Sequence, residues 1–240
     1  MMKVVLWVLG IILGFALLYF IIPGFFALFV NPKKEYKKDS RLYRFLLNVA
    51  SGIGLWVMRV KVRVNGTEKL PKDQKLLFVG NHRSNFDPII TWYMFRDWNI
   101  SFISKAGNFK IPIFGRLIRR CCFMVIDREN PRKAIGTINS AGELLRSGEV
   151  SIGVYPEGTR SKTGELLPFH SGVLRIAQKG NAGIAIIAMK GTERIHKNYP
   201  FRASRIEVEV LDVIPAEQVA ATRTNDLCEM IREKLENRLK

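Results

Sequence analysis

The chain has 240 residues, with 38 Lys and Arg against 21 Asp and Glu, a formal net charge of +17 and 48% apolar residues. That apolar content is too high for an intrinsically disordered chain, and the length fits one domain of ordinary size plus an appendage. Three cysteines, two of them adjacent (Cys121 and Cys122), build no disulfide framework and match no zinc-ligand spacing, so they read as reduced thiols packed in a cytosol-facing core.

Residues 4–30 carry no charge. A bilayer core needs about 20 apolar residues in a helix, so the run is long enough to span, and Pro23-Gly24 is the expected break. It is too long for the apolar region of a secretory signal peptide, and no A-x-A cleavage site follows it, so it reads as an uncleaved anchor. Whether it crosses the bilayer or returns at Pro23 stays open. Next come Lys33, Lys34, Lys37, Lys38, Arg41 and Arg44, opposed only by Glu35 and Asp39. Positive residues stay on the cytoplasmic side, which places the bulk of the chain there, at the cell membrane. Each basic residue near an acidic lipid surface adds roughly 1 kcal/mol of attraction. A second apolar stretch, from Leu42 to Val57 and ending near Trp56, reads equally as an interfacial helix or as the first core helix. The expected division is 1–58, membrane anchor and interfacial helices, and 59–240, an α/β domain.

In that domain residues 59–64 alternate basic and apolar, a strand with one solvated face closed by Asn65-Gly66. Short apolar runs at 76–79, 100–103, 123–126, 152–155 and 184–189 have the pattern of buried strands. Ile206, Val208 and Val210 alternate with Glu207 and Glu209, the pattern of an edge strand. Helical patterns cover 88–95, 131–146 and 172–179, and Leu227, Ile231, Leu235 and Leu239 recur every fourth residue. Alternating strands and helices predict a mostly parallel central sheet flanked by helices, with functional loops at the strand carboxyl ends.

Two short motifs follow such strands. In the first, Asn81-His82-Arg83-Ser84-Asn85-Phe86-Asp87-Pro88, Asp87 is the expected N-cap of the next helix, with Pro88 in its first turn. A tight loop folds the Asp87 carboxylate back onto the His82 imidazole. That contact fixes the ring's tautomer and stabilises its protonated form, while the other nitrogen takes a proton from a hydroxyl. In the second, Tyr155-Pro156-Glu157-Gly158-Thr159-Arg160-Ser161, Pro156 and Gly158 shape a turn. Arg160 with Thr159 and Ser161 offers a planar fork of donors plus hydroxyls, suited to a phosphate monoester.

Together, NHRSNFDP and YPEGTRS in this order and separation resemble the glycerophospholipid acyltransferase family, most closely its 1-acylglycerol-3-phosphate acyltransferases. The similarity covers about residues 60–215. Lys105, Ile111-Pro112-Ile113-Phe114-Gly115 and Phe123–Arg128 look like the family's acceptor block, and Pro168–Gly172 like the segment after its second motif. Tyr155 stands where Phe is usual, Ala106-Gly107-Asn108 replaces an acidic-plus-leucine pair, and residues 186–189 lack the family's proline. The resemblance implies His82 as general base, oriented by Asp87, on the sn-2 hydroxyl of a lysophosphatidate. That hydroxyl attacks an acyl thioester directly, either acyl-CoA or an acyl carrier protein thioester. Arg160 holds the acceptor phosphate with Lys105 and Arg128 as helpers, in a pocket shaped by Glu157 and Gly158 beside Thr159. Backbone amides near Ser84–Phe86 are the expected oxyanion donors. No metal or tightly bound cofactor is required. The partners implied are the two substrates, membrane lipids and an acyl carrier protein. Nucleic acid, the other reading of a strongly basic chain, would leave both motifs as coincidences. A different acceptor, such as glycerol phosphate or another lysophospholipid, is the remaining alternative.

Overall fold

The computed structural model describes residues 1–127 and 130–240, without the side chains of Val8, Ile11, Ile12 and Pro131. Two helices come first, α1 (Met2–Leu28) and α2 (Arg41–Val57). Strands and helices then alternate: β1 (Val60–Asn65), β2 (Leu77–Gly80), α3 (Asp87–Met94), β3 (Ile100–Lys105), α4 (Phe114–Arg120), β4 (Met124–Ile126), α5 (Pro131–Arg146) and β5 (Ser151–Val154). They are followed by α6 (Arg175–Gly180), β6 (Ile184–Lys190), α7 (Ile195–Asn198), β7 (Ser204–Ile214), α8 (Ala216–Ala221) and α9 (Thr224–Leu239).

The strands form one sheet of order β1-β7-β6-β2-β5-β3-β4. Every neighbouring pair is parallel except β6 and β7. A parallel sheet needs both faces covered, and two apolar clusters do this. On one face Tyr43, Leu46 and Leu47 of α2, Ile90 of α3, Phe95 just after it and Leu117 of α4 pack over Phe78, Phe102 and Ile187. On the other, Leu144 of α5, Ile176 of α6 and Leu227, Ile231 and Leu235 of α9 pack over Leu77, Val79 and Ile152.

Strand β7 is an interior strand, paired to β1 on one side and β6 on the other, which corrects its assignment as an edge. Its Glu207 and Glu209 lie on a face where Arg238 of α9 pairs with both carboxylates. Alternation reports one wet face, whatever the strand's place in the sheet.

One rim of this sheet collects the carboxyl ends of β6, β2, β5, β3 and β4. Because β7 runs antiparallel to β6 and β1 parallel to β7, the amino ends of β1 and β7 lie on the same rim. Since β1 begins there, α2 ends there too.

The first two helices are antiparallel. The Tyr43 hydroxyl donates to the Phe26 carbonyl at 2.9 Å and the Tyr19 hydroxyl to the Ala50 carbonyl at 3.0 Å. Helix α1 stays unbroken through Pro23, against the expected break. Its last turns are held there: Gly24 lies against Ile113, and Arg116 donates to the Ala27 carbonyl at 3.1 Å. Before Gly14, every residue of α1 with a described side chain is exposed. Helix α2 divides its faces: the inner one joins the core, while Phe45, Val49, Ile53 and Trp56 are exposed. Among the described residues no helix is long and apolar enough to cross a membrane.

Candidate active site

Strands β2 and β5 are parallel neighbours with Val79 opposite Val154, so the two motif loops leave the rim side by side. Gly80 permits the approach, since a Cβ there would come within 3.1 Å of the Ile187 carbonyl and 3.4 Å of the Tyr155 ring. Asn81, buried at the exit of β2, donates to the Met189 carbonyl (2.9 Å) and accepts from the Met189 N–H (2.8 Å). This paired bond replaces the ladder where the strand stops.

The loops are then tied through their backbones. The His82 N–H donates to Glu157 Oε1 at 2.6 Å, and the His82 carbonyl accepts from the Ser161 N–H at 2.8 Å. Glu157 Oε2 accepts from the Leu167 N–H at 2.9 Å. Glu157 is buried and both its oxygens are engaged, so it shapes the site from behind. Burial pushes its carboxyl above the usual range, and the two N–H donors oppose that rise.

Asp87 has a different place from the one expected. Phe86 is the N-cap of α3 and Asp87 its first helical residue. Its carboxylate turns back instead: Oδ2 accepts from the N–H groups of Arg83 (2.6 Å) and Ser84 (2.7 Å) and meets His82 Nδ1 at 2.8 Å. One oxygen thus fixes both the loop and the ring. A carboxylate at Nδ1 assigns the proton to that nitrogen and leaves Nε2 as the basic one. The imidazole lies over Tyr155, with ring centroids 4.5 Å apart, and Tyr155 is stacked in turn on Phe102. The Tyr155 hydroxyl pairs with Thr91 Oγ1 at 3.2 Å. Burial first, then the Asp87 charge, holds that phenol well above its ordinary value, so it stays protonated.

Gly158 has φ +68°, and a Cβ there would come within 3.1 Å of the His170 ring, so glycine suits the turn on both counts. Thr159 and Arg160 are exposed beyond it, and Lys105 is exposed at the end of β3. His82, Asp87, Glu157 and Gly158 are therefore brought together. Arg160 and Lys105 are exposed on the same rim, with no ion pair among the described residues. Arg128 lies outside the described residues.

The expected oxyanion amides are mostly occupied. The Ser84 N–H serves Asp87, and the Phe86 N–H donates to Ser84 Oγ at 3.2 Å. Of residues 84–86, Asn85 alone has an N–H with no partner among the described residues. Sequence reading missed Asn81 and Thr91 as supports, and motif membership was the only signal for Asn81.

Among the described residues the nearby serines and the adjacent cysteines are not placed as nucleophiles. Ser84 is buried and its Oγ accepts from the Phe86 N–H, and Ser161 is buried with its Oγ accepting from the Gly164 N–H. Burial pushes the Cys121 thiol far up and holds Cys122 at about 12. The chemistry on offer is removal of a proton from a hydroxyl beside exposed cations, with the hydroxyl oxygen as nucleophile. Among the described residues no cluster of His, Cys, Asp and Glu fits a metal ion.

Residues 61–190 match the family model described as Acyltransferase. The chain is 25% identical over 195 residues to a 1-acyl-sn-glycerol-3-phosphate acyltransferase of Limnanthes douglasii, covering 80% of this chain and 68% of that one. It is 31% identical over 189 residues to a chloroplastic 1-acyl-sn-glycerol-3-phosphate acyltransferase of Arabidopsis thaliana (78% and 51%). With the enzyme of that name from Borreliella burgdorferi it shares 26% over 201 residues (83% and 80%). The chain thus spans about half the length of the Arabidopsis relative. In fold it is similar to the crystal structure of the 1-acyl-sn-glycerophosphate acyltransferase of Thermotoga maritima, with TM-score 0.71, 24% identity and coverage of 100% of this chain and 96% of that one.

Proposed function

The chain belongs to the acyltransferase family, and from that premise we propose that it transfers a fatty acyl group from an acyl thioester to the sn-2 hydroxyl of 1-acylglycerol 3-phosphate, giving phosphatidate. The observation that carries this reading is the 2.8 Å contact of His82 Nδ1 with Asp87 Oδ2 on a rim that also bears Arg160 and Lys105. The printed names of the relatives agree with it.

His82 Nε2 takes the proton of the hydroxyl as its oxygen attacks the thioester carbonyl carbon. Asp87 stabilises the imidazolium so formed. The tetrahedral oxyanion is received by a free backbone donor, for which the Asn85 N–H is the candidate. Collapse breaks the C–S bond, and the proton on Nε2 passes to the departing sulfur. The acyl group moves once, so no acyl-enzyme intervenes.

Arg160 is the phosphate ligand, assisted by the Thr159 hydroxyl, Lys105 and Arg128. Adjacent strands stand about 4.8 Å apart. From β2 through β5 and β3 to β4 the rim therefore extends about 14 Å, long enough to hold both the reacting oxygen and the phosphorus four bonds from it. The acceptor alternative, glycerol phosphate or another lysophospholipid, stays within the same chemistry.

The same reading places the protein on a membrane, with residues 1–58 as its anchor and 59–240 as its catalytic domain. Contacts from Tyr19 to Ala50 and from Phe26 to Tyr43 align α2's last residue with about residue 12 of α1. The first ten or so residues of α1 then overhang the catalytic rim by roughly 15 Å at 1.5 Å per residue. That suits insertion into one leaflet better than crossing a core of about 30 Å. The basic run of residues 33–44 supports a cytoplasmic side for the domain.

The test is transfer of labelled acyl groups to lysophosphatidate by wild type and His82→Ala, with acyl-CoA and acyl carrier protein donors in parallel. His82-dependent phosphatidate supports the reading and identifies the donor. Product from another acceptor alone would replace the acceptor, and no transfer with either donor to any acceptor would sink the reaction.

A further inference from the structure

The segment joining β6 to β7 carries a feature that transfer itself does not use. Phe201 is 86% exposed, more than any described apolar side chain of α1, and Tyr199 beside it is exposed as well. The loop is nonetheless well pinned. The Arg202 N–H donates to the Asn198 carbonyl at 2.7 Å, the Tyr199 N–H to the Ile195 carbonyl at 3.1 Å, and Asn198 Nδ2 to Ser204 Oγ at 3.0 Å, with Ile195 fully buried. Two outward aromatic rings on an ordered loop, adjoining the exposed apolar end of α2, make a contiguous patch of the kind that marks a contact site.

Position and charge identify the partner. The loop ends where β7 begins, at its amino end, and therefore stands on the catalytic rim, two strands and about 10 Å from the exit of β2. It is continuous with the exposed apolar face of α2 through Arg59. The Arg59 carbonyl accepts from the Ser204 N–H at 3.2 Å, and its guanidinium donates to the Phe201 carbonyl at 3.2 Å. Trp56, 79% exposed, lies three residues earlier at the end of α2. The overhang of α1 projects past the same rim. From Gly191 to Ala203 the exposed basic residues Arg194, Lys197 and Arg202 face one acidic residue, Glu193. Exposed aromatics ringed by basic residues match the boundary between acidic headgroups and acyl chains.

We propose that the Tyr199–Phe201 loop is a second membrane-contact site, in which the two rings enter the headgroup–acyl boundary of an anionic bilayer while Arg59, Lys197 and Arg202 meet lipid phosphate oxygens. It rests on the membrane-bound reading above and adds an orientation to it. One anchor leaves the domain free to swing, whereas a second contact on the rim holds His82 and Arg160 toward the headgroups where a lysophospholipid lies.

The experiment uses the full chain with Cys228→Ser and Phe201→Cys, labelled at residue 201 with an environment-sensitive fluorophore; Cys121 and Cys122 are buried. In vesicles of phosphatidylcholine and phosphatidylglycerol the emission should shift to the blue. It should be quenched by lipids brominated near the top of the acyl chain and be poorly reached by iodide. Protein that floats with vesicles while iodide quenches the label as freely as in detergent overturns the loop site alone. Protein that does not float overturns the membrane reading with it. Shielding that needs no lipid and grows with protein concentration would make the partner a second copy of the chain, which also overturns the proposal.

A companion variant, Phe201→Ser, should transfer acyl groups at the wild-type rate in detergent micelles and about tenfold more slowly on anionic vesicles, where less apolar surface enters the interface. Equal rates on vesicles would overturn the proposal even if the label were shielded. Absence of transfer by wild type in micelles would instead count against the reaction.

Discussion

Tyr155 lies face to face with the imidazole of His82, the planes 16° from parallel. The ring is an apolar wall that restricts the imidazole to the plane in which Nδ1 meets Asp87. Its hydroxyl is separate business, tied to Thr91 on the helix that Asp87 begins. Tyr155→Phe should therefore keep turnover within about threefold, whereas Tyr155→Leu should lose roughly tenfold or more, the worth of one aromatic pair of about 1 kcal/mol together with a loosened base. Steady-state rates for the two variants decide it, and equal losses would mean that the hydroxyl matters more than the face.

Asp87 has two tasks at one oxygen, and substitutions separate them. Asp87→Ala should lower stability by about 1–3 kcal/mol, because the N–H groups of Arg83 and Ser84 lose their acceptor in a buried place. It should lower turnover by roughly 10²–10⁴ as well. His82→Ala should match the loss of turnover at little cost in stability. Urea unfolding alongside kinetics tests the pair, and a stability loss as large for His82→Ala would refute the division.

Arg160 is exposed, and among the described residues it makes no hydrogen bond or ion pair. Arg160→Ala should leave the melting temperature unchanged and raise the apparent KM for the phosphate-bearing acceptor by about tenfold, a modest value for a charge-assisted bond in solvent. Turnover at saturating acceptor should change less. An unaltered KM would remove Arg160 from the phosphate site.

The raised carboxyl of Glu157 gives a pH signature. Its folded-state value exceeds the ordinary 4.5, so the folded chain binds this proton more readily than the unfolded chain. Its contribution to stability is then complete below the ordinary value and is lost as pH rises through the raised one. Glu157→Gln lacks this dependence. Its melting temperature should fall furthest below wild type in acid, and the gap should narrow toward neutral pH. Thermal scans across that range test the sign, and a gap that widens with rising pH would be the contrary result.

The thiols supply a control on packing. Cys121 and Cys122 are buried, with their thiols pushed well above the ordinary value, and a reactive cysteine needs both exposure and thiolate. Brief alkylation of native protein should modify Cys228 alone, read by mass spectrometry. Modification of Cys121 or Cys122 at the same rate would indicate an open core.

Where local chemistry decided the structure, the sequence was readable. Helix α5 occupies 131–146 as expected, because the Asn130 side chain caps it and a proline starts it. The fourfold spacing of Leu227, Ile231 and Leu235 became a fully buried stripe. The contact of His82 with Asp87 was legible because six residues leave a loop few ways to close. Other features depended on distant partners. The order of β7 in the sheet is set by pairing, which alternation does not encode. The continuity of α1 through Pro23 rests on Ile113 and Arg116, some ninety residues away. The Glu157 carboxylate was read as part of an acceptor pocket. Its tie to the His82 backbone appears only when two separate loops share a rim.

The strand order has a consequence for how such a protein can change. The base and its supports belong to β2 and β5, while Lys105 belongs to β3, with β4 beyond it. Strand β3 reaches this machinery through its backbone pairing with β5 and the stack of Phe102 on Tyr155, both of which lie before Lys105. The segments after β3 and β4 can therefore be exchanged without disturbing the hydrogen bonds that hold His82. On the acceptor assignment proposed for Lys105, substrate preference on this scaffold is in effect a detachable part. A chimera carrying a relative's residues 105–115 would be a direct way to swap acceptors while keeping the reaction.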